Sequence, residues 1–229
     1  MPSRHRLVDA AVSATLDRQA LLAQAASPRQ AGARDAPALA GLLTQAFLAD
    51  PVFDWIARPG PARIGALEQF FRWLLAERAL PFGEVWTADG VVAVWVPPNA
   101  PASPGGFWEQ MRLLPMFLRL CGLARMGRGS AMGAAMEENH PKAPHFYLAF
   151  IGVSPSLQGL GLGSAVLEAN LKRIDAQGAP AYLENSNPKN ARLYERLGFA
   201  TQRNIAPTLA PPLTAMWRDK TPPSPCGRL

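Results

Sequence analysis

Three glycines, Gly159, Gly161 and Gly163, follow the apolar run Phe146-Tyr147-Leu148-Ala149-Phe150-Ile151-Gly152-Val153 and open a helical pattern. A strand that turns through glycines into a helix start is an anion site. Backbone N–H groups converge there, the helix dipole favours negative charge, and absent Cβ atoms let a phosphate approach. The stretch Ser154-Pro155-Ser156-Leu157-Gln158-Gly159-Leu160-Gly161-Leu162-Gly163-Ser164 therefore reads as a cradle for a pyrophosphate, with a purely structural tight turn as the alternative. Its spacing supplies only the first two glycines of a dinucleotide fingerprint, and no Lys-Ser or Lys-Thr follows, which argues against a nucleotide P-loop.

A second motif lies downstream: Asn187-Pro188-Lys189-Asn190-Ala191-Arg192-Leu193-Tyr194-Glu195-Arg196-Leu197-Gly198-Phe199. Gln158-Gly159-Leu160-Gly161-Leu162-Gly163 fits the Gln/Arg-x-x-Gly-x-Gly/Ala signature of the GNAT superfamily of N-acetyltransferases. The second motif resembles that family's other signature, an Asn ahead of a Tyr and then Gly-Phe. The resemblance extends over roughly residues 29 to 218. Within the superfamily, His145-Phe146-Tyr147-Leu148, Gly152-Val153-Ser154-Pro155, Tyr182-Leu183-Glu184-Asn185-Ser186 and Tyr194-Glu195-Arg196-Leu197-Gly198-Phe199 look like the branch containing puromycin N-acetyltransferase.

The resemblance implies an α/β fold: a mixed, twisted sheet of about six to seven strands with helices on both faces and two splayed parallel strands at an acetyl-CoA site. It implies that the backbone of Ile151, Gly152 and Val153 pairs with the pantetheine arm. The amides of Gly159, Leu160, Gly161, Leu162, Gly163 and Ser164 would hold the pyrophosphate, with Gln158 shaping the turn. Gly152 suits a bulge or a close approach within its strand. Asn187 would bond pantetheine and Asn190 would add a contact, although Asn187 before Pro188 is also good helix-capping chemistry. Lys189 and Arg192 either attract the anionic cosubstrate or form solvated surface.

Acyl transfer from a thioester to an amine expels a thiolate, and Tyr194, a phenol of ordinary pKa about 10, is the implied general acid and a cosubstrate contact. The amine must lose a proton before attack. Glu184 is the candidate base, with His145, Glu137 and Glu138 as alternatives. A backbone N–H between Ile151 and Val153 would meet the oxyanion. The expected function is direct, acetyl-CoA-dependent acetylation of a primary amine on a small molecule, without a metal. The alternatives are acetylation of peptides or proteins, and a non-catalytic acyl-CoA-binding module.

Elements that position these groups are legible in outline. Residues 1–27 read as an N-terminal extension, helical or disordered, with Val8, Val12, Leu16, Leu21 and Leu22 loosely periodic; residues 28–220 form the domain and 221–229 a disordered tail. Asp35 and Pro37 mark a helix start for the face Leu39, Leu42, Leu43, Ala46 and Phe47, which Asp50-Pro51 ends. A second helix carries Ile64, Leu67, Phe70, Phe71, Leu74 and Leu75 up to Pro81. Asp89-Gly90 joins residues 84–87 and 91–96 as a hairpin. Residues 104–139 hold two apolar helical segments split near Gly122 and Gly127. Phe107, Trp108, Met111 and the leucines up to Leu120 are either core or the wall of a substrate pocket. The last third alternates strand 145–153, helix 161–177, strand 181–184, helix 188–197, and strands near 199–206 and 213–218.

Bulk properties narrow the class further. The formal charge is +6 and the hydrophobic fraction 48%, a globular balance with mild attraction for phosphates. The basic residues are scattered without interleaved aromatics, so nucleic acid is not expected as a partner. Cys121 and Cys226 are too few for a disulfide framework, and His5, His140 and His145 form no ligand pair at helical spacing. No apolar stretch reaches the roughly 18 residues of a membrane span, and the N-terminus lacks a signal-peptide core. The expected setting is cytoplasmic, with a small-molecule amine as partner, no membrane, and a monomer or homodimer.

Overall fold

The computed structural model describes residues 17–100 and 107–220, and no side chains within 107–112. Expectations placed on Val8, Val12, Leu16, His5, Cys226 and the tail, and on the side chains of Phe107, Trp108 and Met111, lie outside the described residues.

Seven strands build one mixed sheet: β1 (Arg29–Gln30), β2 (Val85–Ala88), β3 (Val91–Val96), β4 (Phe146–Val153), β5 (Ala181–Asn185), β6 (Ala200–Asn204) and β7 (Thr214–Arg218). Their order is β1-β2-β3-β4-β5-β7-β6. Only β4 and β5 run parallel, and all other neighbours are antiparallel. The helix needed to reverse direction between the parallel strands is α7 (Leu162–Ala176). This is the mixed α/β architecture expected.

The reason β3 reads Val-Val-Ala-Val-Trp-Val is that both of its faces are covered. Val91, Ala93 and Trp95 point into a core with β4, β5, α7, α8 (Ala191–Arg196) and the helix over 17–26, here α1. Val92 and Val94 point the other way, against α2 (Ala36–Phe47), α3 (Pro51–Ile56), α4 (Arg63–Trp73) and α5 (Phe107–Cys121). A third cluster gathers α3, α6 (Met126–Asn139), β5 and β7 around Val52, Met132, Tyr182, Ile205, Leu213 and Ala215. Asn170, a polar side chain buried beside the first core, accepts from the Trp95 indole N–H at 2.8 Å. Within α1, Ala25 is fully buried and Leu21 and Leu22 pack on that same core.

Three local readings of the sequence are corrected. Asp35 stands at the N-cap position of α2 with Pro37 in the first turn, but its side chain does not cap the helix: the carboxylate accepts from Gly32 N–H at 2.8 Å and pairs with Arg29 at 2.6 Å, because a 3-10 turn precedes the helix. Asp50 does more than end α2: its carboxylate accepts from Val52 and Phe53 N–H and so starts α3, with Pro51 at the first helical position. The break between α5 and α6 falls at Gly122, whereas Gly127 lies inside α6.

Candidate active site

Strand β4 pairs with β5 at only three positions, Phe146 with Ala181, Tyr147 with Tyr182 and Leu148 with Leu183. Beyond them the strands part. Ile151, Gly152 and Val153 stay with β3, while Glu184 and Asn185 stay with β7. The cause is a bulge: Val94 lies opposite Phe150 but Trp95 opposite Leu148, which leaves Ala149 as the extra residue. A bulge bends and twists its strand, and here it turns β4 away from β5.

Gly152 is therefore not the bulge, and it answers to close approach. A Cβ there would lie 3.0 Å from Leu43 Cδ2 and 3.2 Å from Ala46 Cβ, so α2 seats directly on the strand. Ser154 N–H bonds Gly90 O at 2.8 Å, and by antiparallel alternation Gly152 also turns its backbone toward β3. The N–H and C=O groups of Ile151 and Val153 face the gap.

The gap leads into the glycine turn. Gly159 (φ 80°) and Gly161 (φ 94°) take left-handed backbone, which a Cβ disfavours. The first bond of α7 runs from Ala165 N–H to Gly161 O, so the amides of Leu162, Gly163 and Ser164 precede its ladder. Gln158 Nε2 donates to Val153 O at 3.2 Å and closes the loop on the strand. A Cβ on Gly163 would meet Val153 Cγ2 at 3.5 Å and Ile151 Cδ1 at 3.7 Å, ordinary contacts that draw the helix start against the gap. Amides that precede the helix ladder, positive-φ glycines and a strand edge not paired with β5 fit an extended ligand ending in a pyrophosphate.

On the β5 side, Tyr194 projects from α8 into the first core, edge-on to Phe199, and is 6% exposed. Among the described residues its hydroxyl has no hydrogen-bond partner. Burial raises its pKa, and the nearby Asp50 charge adds to the rise, so the phenol stays protonated. Asp50 is itself raised by burial, against the hydrogen bonds from Ser186, Phe53 and Val52 that oppose the shift. Ser186 donates to Asp50 Oδ2 at 2.5 Å and ties the end of β5 to the corner between α2 and α3. This bond ties β5 to the helices α2 and α3, and sequence reasoning did not see it.

Glu184 lies in an aromatic box. Tyr147 donates to its Oε2 at 2.5 Å and Tyr182 to its Oε1 at 3.2 Å. Both phenols are raised, first by burial and then by the Glu184 charge. The Glu184 side chain is 2% exposed, while His140, 3.8 Å away, is 38% exposed and links the carboxylate to the surface. The His145 ring packs at a tilt against His140, 4.9 Å between ring centroids. Its Nδ1–H donates to Ala143 O at 2.7 Å, its buried Nε2 has no partner, and burial lowers its pKa. The spacing of His140 and His145 gave no hint of this meeting, since a loop rather than a helix brings them together. Glu137 and Glu138 are exposed on α6.

Asn187 caps the 3-10 turn Pro188–Asn190, its side chain accepting from Lys189 N–H at 3.2 Å. Asn190, Lys189 and Arg192 are exposed. Leu120 and Cys121 of α5 are buried in the second core, so this end of the helix is packing.

A split between two central parallel strands that runs into a glycine turn and helix start leaves an opening shaped for an extended, anionic ligand. The chain belongs to the acetyltransferase (GNAT) family, whose sequence model matches residues 61–199. It is similar to mycothiol acetyltransferase from Streptomyces avermitilis, 44% identical over 54 residues, which is 22% of this chain and 18% of that protein. It is also similar to mycothiol acetyltransferase from Paenarthrobacter aurescens, 36% identical over 84 residues, 34% of this chain and 26% of that one. The match thus spans about a quarter or less of those relatives. The crystal structure of histone acetyltransferase HPA2 and related acetyltransferase from Corynebacterium glutamicum superposes with a TM-score of 0.63 at 26% identity, covering 86% of this chain and 97% of that one. No described helix is long and apolar enough to cross a membrane.

Proposed function

We propose that the protein transfers the acetyl group of acetyl-CoA directly to the primary amine of a small molecule. The observation that carries this reading is the split after Leu148 and Leu183, where the backbone edges of Ile151 and Val153 face a gap ending on the amides of residues 162–164. Acetyl-CoA supplies an activated thioester, and the chain's residues supply alignment and proton traffic.

In this reading the pantetheine arm adds to β4 as a strand would, bonding Ile151 and Val153, with Asn187 and Asn190 on its other flank. The turn from Gly159 to Ser164, held by Gln158, takes the pyrophosphate. The amine nitrogen attacks the thioester carbon, a gap-facing N–H of Ile151 or Val153 meets the oxyanion, and the C–S bond breaks. Tyr194 gives its proton to the departing thiolate, and its buried state favours the protonated form that this role needs. The proton lost by the amine passes to Glu184, with His140 as its route to solvent. The sum is an amide and a free thiol, with the Tyr194 proton replaced from solvent.

An apolar part of the acceptor is supported by Phe47, Phe70 and Phe150, half-buried rings packed beside the bulge with centroids 5.4 to 6.3 Å from Phe150. The mycothiol acetyltransferase relatives, named for a small molecule, favour the same class. The test is thiol release from acetyl-CoA with a panel of small amines, puromycin included, and mass detection of the N-acetyl product. Product with one or more amines supports the reading. Acetylation of peptides alone, or acetyl-CoA binding without any product, overturns it in favour of a protein acetyltransferase or a binding module.

A further inference from the structure

We infer that Arg18, on α1, is a further phosphate-binding residue of the cosubstrate site; this rests on the acetyl-CoA reading above. Its Nε donates to Leu160 O at 3.4 Å, in the middle of the glycine turn. The guanidinium is exposed, and among the described residues it has no carboxylate partner, so its remaining N–H groups are unengaged. A positive, forked donor held at the rim of an anion cradle is suited to a phosphate oxygen.

Arg18 is held there by the packing of its helix. Leu22, one turn further along α1, places Cδ2 3.4 Å from the position a Cβ would take on Gly161. Leu21 and Leu22 pack on the core and Ala25 is completely buried. The helix therefore leans on the glycine turn through apolar contacts, and Arg18 is the residue that these contacts leave beside Leu160. The family's sequence model starts at residue 61, so α1 lies outside the region it matches. Lys189 and Arg192, near the second motif, are exposed and have no such link to the turn.

The test is calorimetric titration of the full chain with coenzyme A, comparing wild type, Arg18→Gln and Arg18→Lys at low and high salt. A partly exposed ion pair predicts that Arg18→Gln raises Kd about fivefold at low salt, with the gap closing as salt screens the charge and Arg18→Lys recovering part of it. Turnover with S-acetylpantetheine, which has no phosphate, is expected to be unchanged. Equal Kd for wild type and Arg18→Gln overturns the inference. So does a loss that is the same at all salt concentrations and extends to S-acetylpantetheine, because a loosened turn rather than a lost charge gives that pattern. Failure of the wild type to bind coenzyme A sinks the acetyl-CoA reading itself.

Discussion

Replacing Gly161 by alanine tests whether the turn works through its backbone. Gly161 sits at φ 94° and ψ 2° at the N-cap of α7, where an L-residue pays about 1–2 kcal/mol. The nearest atom to its added Cβ is Leu22 Cδ2 at 3.4 Å, a flexible neighbour, so conformation rather than space sets the cost. Gly159, at φ 80° with nothing within 4 Å, carries a similar conformational cost with no crowding at all. The turn is exposed and can relax, which moves the amides of residues 162–164 out of alignment. Gly161→Ala should then raise the Kd for coenzyme A about tenfold, because 1–2 kcal/mol corresponds to a factor of about 5 to 30. Gly163 is the internal control. It is helical, its Cβ would make ordinary contacts with Val153 and Ile151, and alanine there should gain about 0.5–1 kcal/mol of helix stability with little change in binding. Calorimetric titration and thermal unfolding on Gly161→Ala and Gly163→Ala read both quantities. Wild-type affinity in Gly161→Ala, or equal damage from Gly163→Ala, refutes the backbone argument.

Three further outcomes are expected. Tyr194→Phe should lower turnover about a hundredfold while the Kd for acetyl-CoA stays within about threefold, read by steady-state kinetics and calorimetry; an unchanged turnover removes Tyr194 from the chemistry. The chain's three tyrosines, Tyr147, Tyr182 and Tyr194, all have folded pKa values above the ordinary 10, so their stabilising effect is complete below about pH 10 and is lost as pH rises toward the folded values. Phenolate absorbance should appear only together with loss of circular dichroism, and a tyrosine that titrates near pH 10 in the folded protein contradicts this. Asp50→Ala removes two capping bonds and the Ser186 tie, which should cost about 1–3 kcal/mol in chemical denaturation and exceed the cost of Asp50→Asn; an unaltered midpoint in Asp50→Ala shows that the tie is not structural.

Much of the fold was legible because its signals are local. The Asp89-Gly90 turn, the two-sided apolar run of β3, and the alternation of strand and helix after residue 145 each declare themselves within a few residues. The glycine turn was legible for the same reason, since positive φ at positions 159 and 161 is a demand on the residue itself. What sequence could not give is set by partners distant along the chain. The bulge at Ala149 depends on registry with Val94 and Trp95, and nothing about an alanine announces it. Asp50 and Ser186 are 136 residues apart, and Asp50-Pro51 carries a helix-boundary signal strong enough to hide a second role. Glu184 was visible as a carboxylate at a strand end, but its enclosure by two tyrosines and access through His140 follow from parallel pairing of Tyr147 with Tyr182. The resemblance to the puromycin branch rested on short stretches, and the acceptor stays with the proposal above.

The most direct measurement is a crystal structure of the protein with coenzyme A. The account predicts the pyrophosphate within hydrogen-bonding distance of the amides of residues 162–164, the pantetheine arm along Ile151 and Val153, and the sulfur beside the Tyr194 hydroxyl. Coenzyme A bound elsewhere, or lying in the gap with its sulfur remote from Tyr194, contradicts it.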